Sequence, residues 1–168
     1  MTVAQPLSRR GVVLGAAALA LPASVLAQAS STPTAATPAA LVGPLAPNPV
    51  AFRKAMADFT RGATPSTDGL KLDVPMLADN PSAVPVKVKV TAPITEQDWC
   101  EEIIVVAELN PIPLACRIKF TADTGTAEAA VRIRLSQSQN VHVLARMKNG
   151  AVLQGKQMVT VAASGCGM

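Results

Sequence analysis

The chain has 168 residues, enough for one domain with flanking segments. It carries 15 basic and 11 acidic residues, a formal net charge of +4, and removal of a leader containing Arg9 and Arg10 would leave 13 basic residues and a charge of +2. So small an excess does not indicate a nucleic-acid-binding protein. There are only one Trp and three Phe and no Tyr, so any core must be built from aliphatic side chains.

Residues 1–27 have the pattern of an export signal peptide. Ser8-Arg9-Arg10 precedes an apolar run over residues 11–21, and Val25-Leu26-Ala27 offers small residues for cleavage. The run is shorter than the roughly 20 apolar residues of a spanning helix. The paired arginines indicate twin-arginine export, with an ordinary Sec signal as the alternative. Both routes predict a periplasmic protein.

Residues 28–48 are rich in Ala, Pro, Ser and Thr and are predicted to form a disordered linker. A helix is predicted from Pro49 to about residue 61, because Asn48 can cap it, proline suits its first position and Gly62 can end it. Its apolar side chains recur at spacings of four and three and form one face. The few charges around the helix are of mixed sign, which favours docking on a sheet of this protein over a membrane surface. The apolar face consists of Phe52, Met56 and Phe59.

From about residue 70 the apolar residues alternate with polar ones, which is typical of β-strands and predicts that Lys87 and Lys89 face outward. The continuous apolar run 103–107 fits a more buried strand. Asn149-Gly150 predicts a tight hairpin with positive φ at both positions. Seven or so short antiparallel strands predict an all-β, immunoglobulin-like antiparallel β-sandwich over residues 49–161, preceded by the short helix, with a closed barrel as the alternative. The predicted strands are 70–74, 84–90, 103–107, 114–120, 131–135, 141–147, 151–153 and 158–161.

The chain contains three cysteines, Cys100, Cys116 and Cys166. In an oxidising compartment an odd number leaves at least one thiol free or joined to a partner. A turn at residues 110–113 would set Cys116 opposite about Ala107, roughly 20 Å along the strand from Cys100. A disulfide needs Cα atoms within about 7 Å. We therefore predict that Cys100 and Cys116 are buried free thiols, with a disulfide as the alternative.

Other chemistry-bearing residues are few and scattered. His142 is the only histidine; it falls on the face opposite Val141 and is predicted to be solvated, although a pair with Cys166 is the alternative. The sequence has no metal-ligand spacing and no phosphate-binding glycine loop, so we predict no metal site and no cofactor. We expect these charged side chains to be solvated: Glu101, Glu102, Glu108, Glu128, Arg132 and Arg134.

Cys166 lies between Gly165 and Gly167, just after the last predicted strand. Glycine restricts the backbone little, and unpaired chain ends are usually mobile. Residues 162–168 are therefore predicted to be a mobile C-terminal arm, with a reach on the order of 20 Å when extended. Such an arm could carry a sulfur-bound group into a cleft of another protein. The alternative is an incidental cysteine in a frayed tail.

Six runs of the sequence form a distinctive combination: 110–113, 120–121, 125–127, 132–141, 147–150 and 165–167. Together they resemble the SoxY family, from about residue 50 to the end. SoxY is the sulfur-carrier subunit of the periplasmic sulfur-oxidising (Sox) multienzyme system. The family ends in Gly-Gly-Cys-Gly-Gly, of which this chain keeps the central three residues, with Ser164 and Met168 at the outer positions.

The resemblance implies a carrier protein that is not itself an enzyme. It implies a heterodimer with a SoxZ-like subunit, and oxidative attachment of thiosulfate to the Cys166 thiol by a c-type cytochrome. A hydrolase would then release sulfate, and a sulfur dehydrogenase would oxidise the remaining sulfur. An alternative from another class is a structural or assembly subunit of a periplasmic dehydrogenase. A thiol oxidoreductase is disfavoured because no second cysteine or basic residue stands near Cys166.

Overall fold

The structure, a computed structural model, describes residues 41–162. The predicted signal peptide, most of the predicted linker and residues 163–168 of the predicted arm lie outside the described residues. A short 3₁₀ turn at Gly43–Leu45 precedes helix α1 (Pro49–Thr60), and another lies at Ala122–Thr124. The strands within this range are β1 (Leu70–Asp73), β2 (Leu77–Ala78), β3 (Val84–Val90), β4 (Cys100–Ala107), β5 (Leu114–Lys119), β6 (Glu128–Ile133), β7 (Gln139–Met147) and β8 (Val152–Val161).

The described strands form two sheets. One has the order β1-β3-β6, and the other has the order β2-β8-β7-β4-β5. Every pairing is antiparallel except that of β2 with β8, which is parallel. The prediction of a mostly β protein with one short N-terminal helix is confirmed, and the strands form two sheets instead of one closed barrel. Its assignment to the immunoglobulin-like class stays a prediction.

The aliphatic core lies between the two sheets. Alternate residues of β3 are buried and pack against inward side chains of the five-stranded sheet. Because the polar residues alternate with them, Lys87 and Lys89 face outward as the sequence predicted. The principal core residues are Val84, Val86, Val88, Ile103, Val105, Ile133, Val141 and Val143.

Helix α1 covers the other face of the five-stranded sheet, so the predicted docking of its apolar face is confirmed. Phe59 is buried there against Ile104, Leu144 and Val152. The side chain of Asn48 accepts a hydrogen bond from the Ala51 N–H at 2.9 Å and thereby caps the helix. Strand β4 is continuously apolar from Ile103 to Ala107, without alternating polar residues, and this matches its position with both faces covered.

Two local predictions about β7 and β8 are wrong. The hairpin has a three-residue loop: Met147 N–H donates to Ala151 O at 2.8 Å, and Gly150 N–H donates to Met147 O at 3.0 Å. Gly150 has a φ of 88°, whereas Asn149 does not have a positive φ. Residues 151–153 and 158–161 belong to one strand, β8, because the polar stretch between them stays paired with β7.

The two described cysteines form no disulfide, as predicted. Cys116 pairs with Val105 and not with Ala107, because Val106 pairs with Leu114 and the β4–β5 connection is therefore centred on Asn110, earlier than the predicted turn. Cys100 is fully buried, but Cys116 is only half-buried, since it lies on the edge strand β5.

Gly155 in the middle of β8 lies where the two sheets approach closely. A Cβ atom built there would lie 2.9 Å from Leu70 Cδ2 and 3.1 Å from Leu72 Cβ. We expect Gly155→Val to lower the free energy of unfolding by about 1–3 kcal/mol, as overpacking does in well-packed cores. Urea denaturation measures this. Lys156→Val, at the exposed neighbouring position, should change stability by less than about 0.5 kcal/mol; equal effects in the two variants would contradict the prediction.

Candidate functional site

The end of β8, from which the chain continues toward Cys166, lies among several connections that we call the arm-side end. Val159 pairs with Gln139 at the start of β7, and Val141 pairs with Ala107 at the end of β4. The Asn48 N–H donates to Asn110 O at 3.4 Å, which brings the start of α1 to the same end. The arm-side end therefore comprises residues 43–50, 74–83, 108–113 and 134–138 and the end of β8.

Three successive backbone N–H groups fix the root of the arm. Thr160 N–H donates to Met76 O at 2.7 Å, and Ala162 N–H donates to Ala78 O at 3.0 Å. Between them, Val161 N–H donates to the Ser138 hydroxyl oxygen at 3.0 Å. The last described residue, Ala162, is thus held by β2 on one side and by the β6–β7 connection on the other.

A buried polar network holds the connections around this root. The Gln139 side chain is 1% exposed; its amide donates to Asn110 Oδ1 at 2.8 Å, and its oxygen accepts from Leu109 N–H at 2.6 Å. The Asn110 amide donates to Arg134 O at 2.8 Å, and Ser136 N–H donates to Asn110 Oδ1 at 3.0 Å. Because a buried amide loses its water, each of these bonds is costly to break. The network joins the β4–β5 and β6–β7 connections into one rigid support.

The predicted site residues Cys166, Gly165 and Gly167 lie outside the described residues, so their roles and the mobility of the arm stay predictions. Four peptide steps separate Ala162 from Cys166. An extended chain spans about 3.3–3.6 Å per residue, so the Cα of Cys166 lies within about 14 Å of the fixed root.

The two described thiols are poor candidates for sulfur chemistry. Burial raises the pKa of Cys100 to about 11, and its Sγ donates to Glu102 O at 3.7 Å. Burial also raises the pKa of Cys116. Since the thiolate is the reactive form, both side chains are unreactive near neutral pH.

His142 is buried, so the prediction of a solvated histidine is wrong. It does lie on the face opposite Val141, but helix α1 covers that face, and the Phe52 ring lies 5.2 Å from the imidazole centroid to centroid. Its Nε2 lies 3.3 Å from Glu108 Oε2, and its Nδ1 lies 3.3 Å from Gln154 Nε2. A neutral ring that donates from Nε2 satisfies both partners.

Glu102 is also buried, at 3% exposure, which corrects the prediction of a solvated carboxylate. One oxygen accepts from Arg117 Nη1 at 2.7 Å, and the other accepts from Arg146 Nη2 at 2.6 Å. The Arg146 guanidinium also lies 4.8 Å from the Phe59 ring centre beneath α1. Two arginines thus neutralise the carboxylate that the helix covers. Arg132 and Arg134 are exposed, as the sequence predicted.

Within residues 41–162, no three His, Cys, Asp or Glu side chains converge in an arrangement that could hold a metal ion. No helix in the same range is long and apolar enough to cross a membrane.

A comparison with protein-family models shows the family to which the chain belongs. A family model described as Sulfur oxidation protein SoxY matches residues 55–166, a range that ends at Cys166. The chain belongs to the SoxY family. Membership confirms the resemblance that the sequence indicated, and it supports a sulfur-carrier role among the components of the periplasmic Sox system.

Solved structures agree with this at the level of the fold. The sulfur carrier protein SoxY from Chlorobium limicola f thiosulfatophilum is 20% identical, with a TM-score of 0.55 over 68% of this chain and 99% of that one. A superoxide reductase (neelaredoxin) from Ignicoccus hospitalis is 14% identical, with a TM-score of 0.50 over 58% of this chain and 82% of that one. The search of curated proteins gave no match. SoxY and the neelaredoxin therefore share a fold with this chain, and support for a sulfur-carrier role comes from the family match.

Sequence reasoning missed the residues that hold the arm root. Strand β2 has only two residues, too few for an alternating pattern to be visible. Ser138 lies in the run 132–141 that resembles the family, but its hydroxyl bond to Val161 joins residues 23 apart in sequence. The contact of Glu108 with the buried His142 was equally hidden, since only the position of α1 makes that face an interior one.

The buried position of His142 predicts a pH-dependent stability. Loss of hydration lowers the His142 pKa below its ordinary 6.5, although Glu108 acts in the opposite direction. The unfolded chain therefore binds the proton more readily, so the free energy of unfolding should fall as the pH drops below about 6.5. Urea denaturation at pH 7.5, 6.5 and 5.5 measures the slope.

His142→Gln should flatten this slope, because the chain contains no other histidine. The Glu108 pKa is lowered from 4.5, so the stability that this carboxylate contributes is lost only at more acidic pH and does not enter the comparison. Equal slopes in the two proteins would contradict the assignment of the effect to His142.

Proposed function

We propose that the chain is a periplasmic sulfur carrier that binds thiosulfate-derived intermediates covalently on the Cys166 thiol and presents them to Sox partner enzymes. The observation that carries the proposal is the SoxY family match over residues 55–166. Support comes from the fixed position of Ala162, which starts the arm from a defined point, and from the raised pKa values of Cys100 and Cys116, which leave those thiols protonated.

Attachment is an oxidation. The sulfur of Cys166 forms a bond with the terminal sulfur of thiosulfate, the thiol releases its proton, and two electrons pass to a c-type cytochrome. The product is a cysteine S-thiosulfonate. A hydrolase then adds water across the S–S bond to the sulfonate, releasing sulfate and leaving a persulfide for a sulfur dehydrogenase. The chain itself supplies the thiol and no catalytic group.

The arm suits this role because several enzymes must reach the same sulfur atom. Gly165 and Gly167 place little bulk beside Cys166, so the adduct can enter a narrow cleft. Ser164 and Met168 replace the outer glycines of the family motif, and Met168 adds an apolar side chain at the tip. We further propose export by the twin-arginine route and a heterodimer with a SoxZ-like subunit.

Intact mass spectrometry tests the proposal. The mature protein is isolated from the native periplasm under thiosulfate-oxidising conditions without reductant, and then treated with reductant. We expect reducible additions of sulfur or of a thiosulfonate group on the wild-type chain, because the adduct is held by an S–S bond.

Cys166→Ser should abolish these additions and thiosulfate-dependent electron transfer, whereas Cys116→Ser should preserve both. A bare wild-type mass, together with full electron transfer in Cys166→Ser, would instead indicate an assembly subunit without carrier chemistry.

A further inference from the structure

The large exposed apolar side chains of the described residues are concentrated at the arm-side end. None of them lies near the opposite end, where the β7–β8 hairpin and the end of α1 meet. Scattered exposed apolar residues are normal on a protein surface, whereas a group of them at one end indicates an interaction surface. The large exposed ones are Val42, Leu45, Val50, Met76, Leu77, Ile112 and Met158.

Three of these residues surround the root of the arm, and we call them the apolar collar: Met76, Leu77 and Met158. Met76 O accepts the Thr160 N–H bond, and Leu77 pairs directly with Thr160. Ala78 points into the core, so Leu77, the next residue along β2, faces outward. Met158 faces outward for the same reason, because Val159 is buried.

The collar contributes little to the folded domain. Its side chains are 74%, 61% and 47% exposed, and none belongs to either apolar core. Strand β2 contributes to the fold through its backbone pairing with β8 and through the buried Ala78. Polar side chains at positions 76 and 77 would allow the same pairing. The charged residues nearest in sequence, Asp79 and Lys156, are exposed beside it. An apolar centre with a polar rim is the composition of protein interfaces.

The length of the arm determines what must cover the collar. Cys166 lies within about 14 Å of Ala162, and Ala162 is hydrogen-bonded to β2. An enzyme whose cleft is about as deep as the arm is long therefore brings the rim of that cleft up to the arm root, where Met76 and Leu77 lie.

We propose that the apolar collar is the docking surface for the enzymes that act on the arm, and that these enzymes present an apolar rim around their arm-accepting clefts. This inference rests on the proposed carrier function. The collar supplies affinity that does not depend on the group bound to sulfur, so one surface serves successive intermediates. The contact is transient, since each enzyme must leave before the next one docks.

A kinetic experiment on the full-length chain in its heterodimer tests the proposal. Tetrathionate loads the thiol chemically: the cysteine sulfur displaces thiosulfate and a proton is released, which leaves the S-thiosulfonate without any enzyme. The cognate sulfate-releasing hydrolase is then assayed with the loaded carrier as the varied substrate.

The Met76→Gln and Leu77→Gln double variant should raise KM for the carrier about tenfold, as removal of interface anchors does, with kcat changed less than about twofold. Its loading rate with tetrathionate and its urea midpoint should equal those of the wild type, because both side chains are exposed.

Met158→Gln, on a separate strand, should also raise KM for the carrier. Ile112→Gln is the matched control, an equally exposed residue on the β4–β5 connection, and should leave KM within about twofold.

An unchanged KM in the collar variants would overturn the inference while leaving the carrier function intact. Loss of the heterodimer in those variants would also overturn it, because the occupant would then be the stable partner subunit. A wild-type loaded carrier that releases no sulfate would instead count against the proposed function itself.

Discussion

The burial of β4 and β7 on both faces is the constraint on which the rest of the structure depends. One face of these central strands packs against the three-stranded sheet, and the other packs beneath α1. A strand covered on both sides must carry apolar residues at nearly every position, and every polar residue among them needs a partner. Three polar residues of these strands lie beneath the helix, Glu102, His142 and Arg146, and each has a hydrogen-bonding partner.

These buried polar groups tie the helix to one position on the sheet. Glu102 accepts bonds from two arginines, and Arg146 also bonds the Phe59 carbonyl oxygen at 3.3 Å. The gain from such a buried ion pair is largely offset by the cost of removing its charges from water, so its net stabilisation is small. The members of this ion pair all lie on the sheet, so a shift of α1 would not separate them. Such a shift would instead break the bond from Arg146 to the Phe59 carbonyl oxygen and the contact of the guanidinium with the Phe59 ring, and these contacts hold the helix in place. Asn48, which caps the start of the same helix, bonds Asn110 O, so the placement of the helix also fixes one side of the arm-side end.

The sequence predicts what depends on local pattern and misses what depends on tertiary contact. The helix, the outward lysines of β3 and the doubly covered run of β4 follow from periodicity alone. His142 and Glu102 were assigned to solvent because periodicity gives the face of a strand but not what covers that face. The two-residue strand β2 and the unbroken β8 were missed because their pairing, and not their composition, makes them strands. For the candidate site, the sequence indicated Cys166 and its glycines, but the support beneath them joins residues far apart in the chain.

In the proposed carrier function, a rigid root and a short arm together would let one sulfur atom be presented to several enzymes. If the root moved, the volume accessible to Cys166 would grow, and each enzyme would find the sulfur less often in a productive position. Hydrogen bonds from Thr160, Val161 and Ala162 prevent such movement up to four residues before the cysteine. The described part of the chain is thereby fixed up to Ala162. In the proposed function the domain would position the arm, and because the pKa values of Cys100 and Cys116 are raised, those thiols would stay protonated and leave Cys166 as the reactive cysteine.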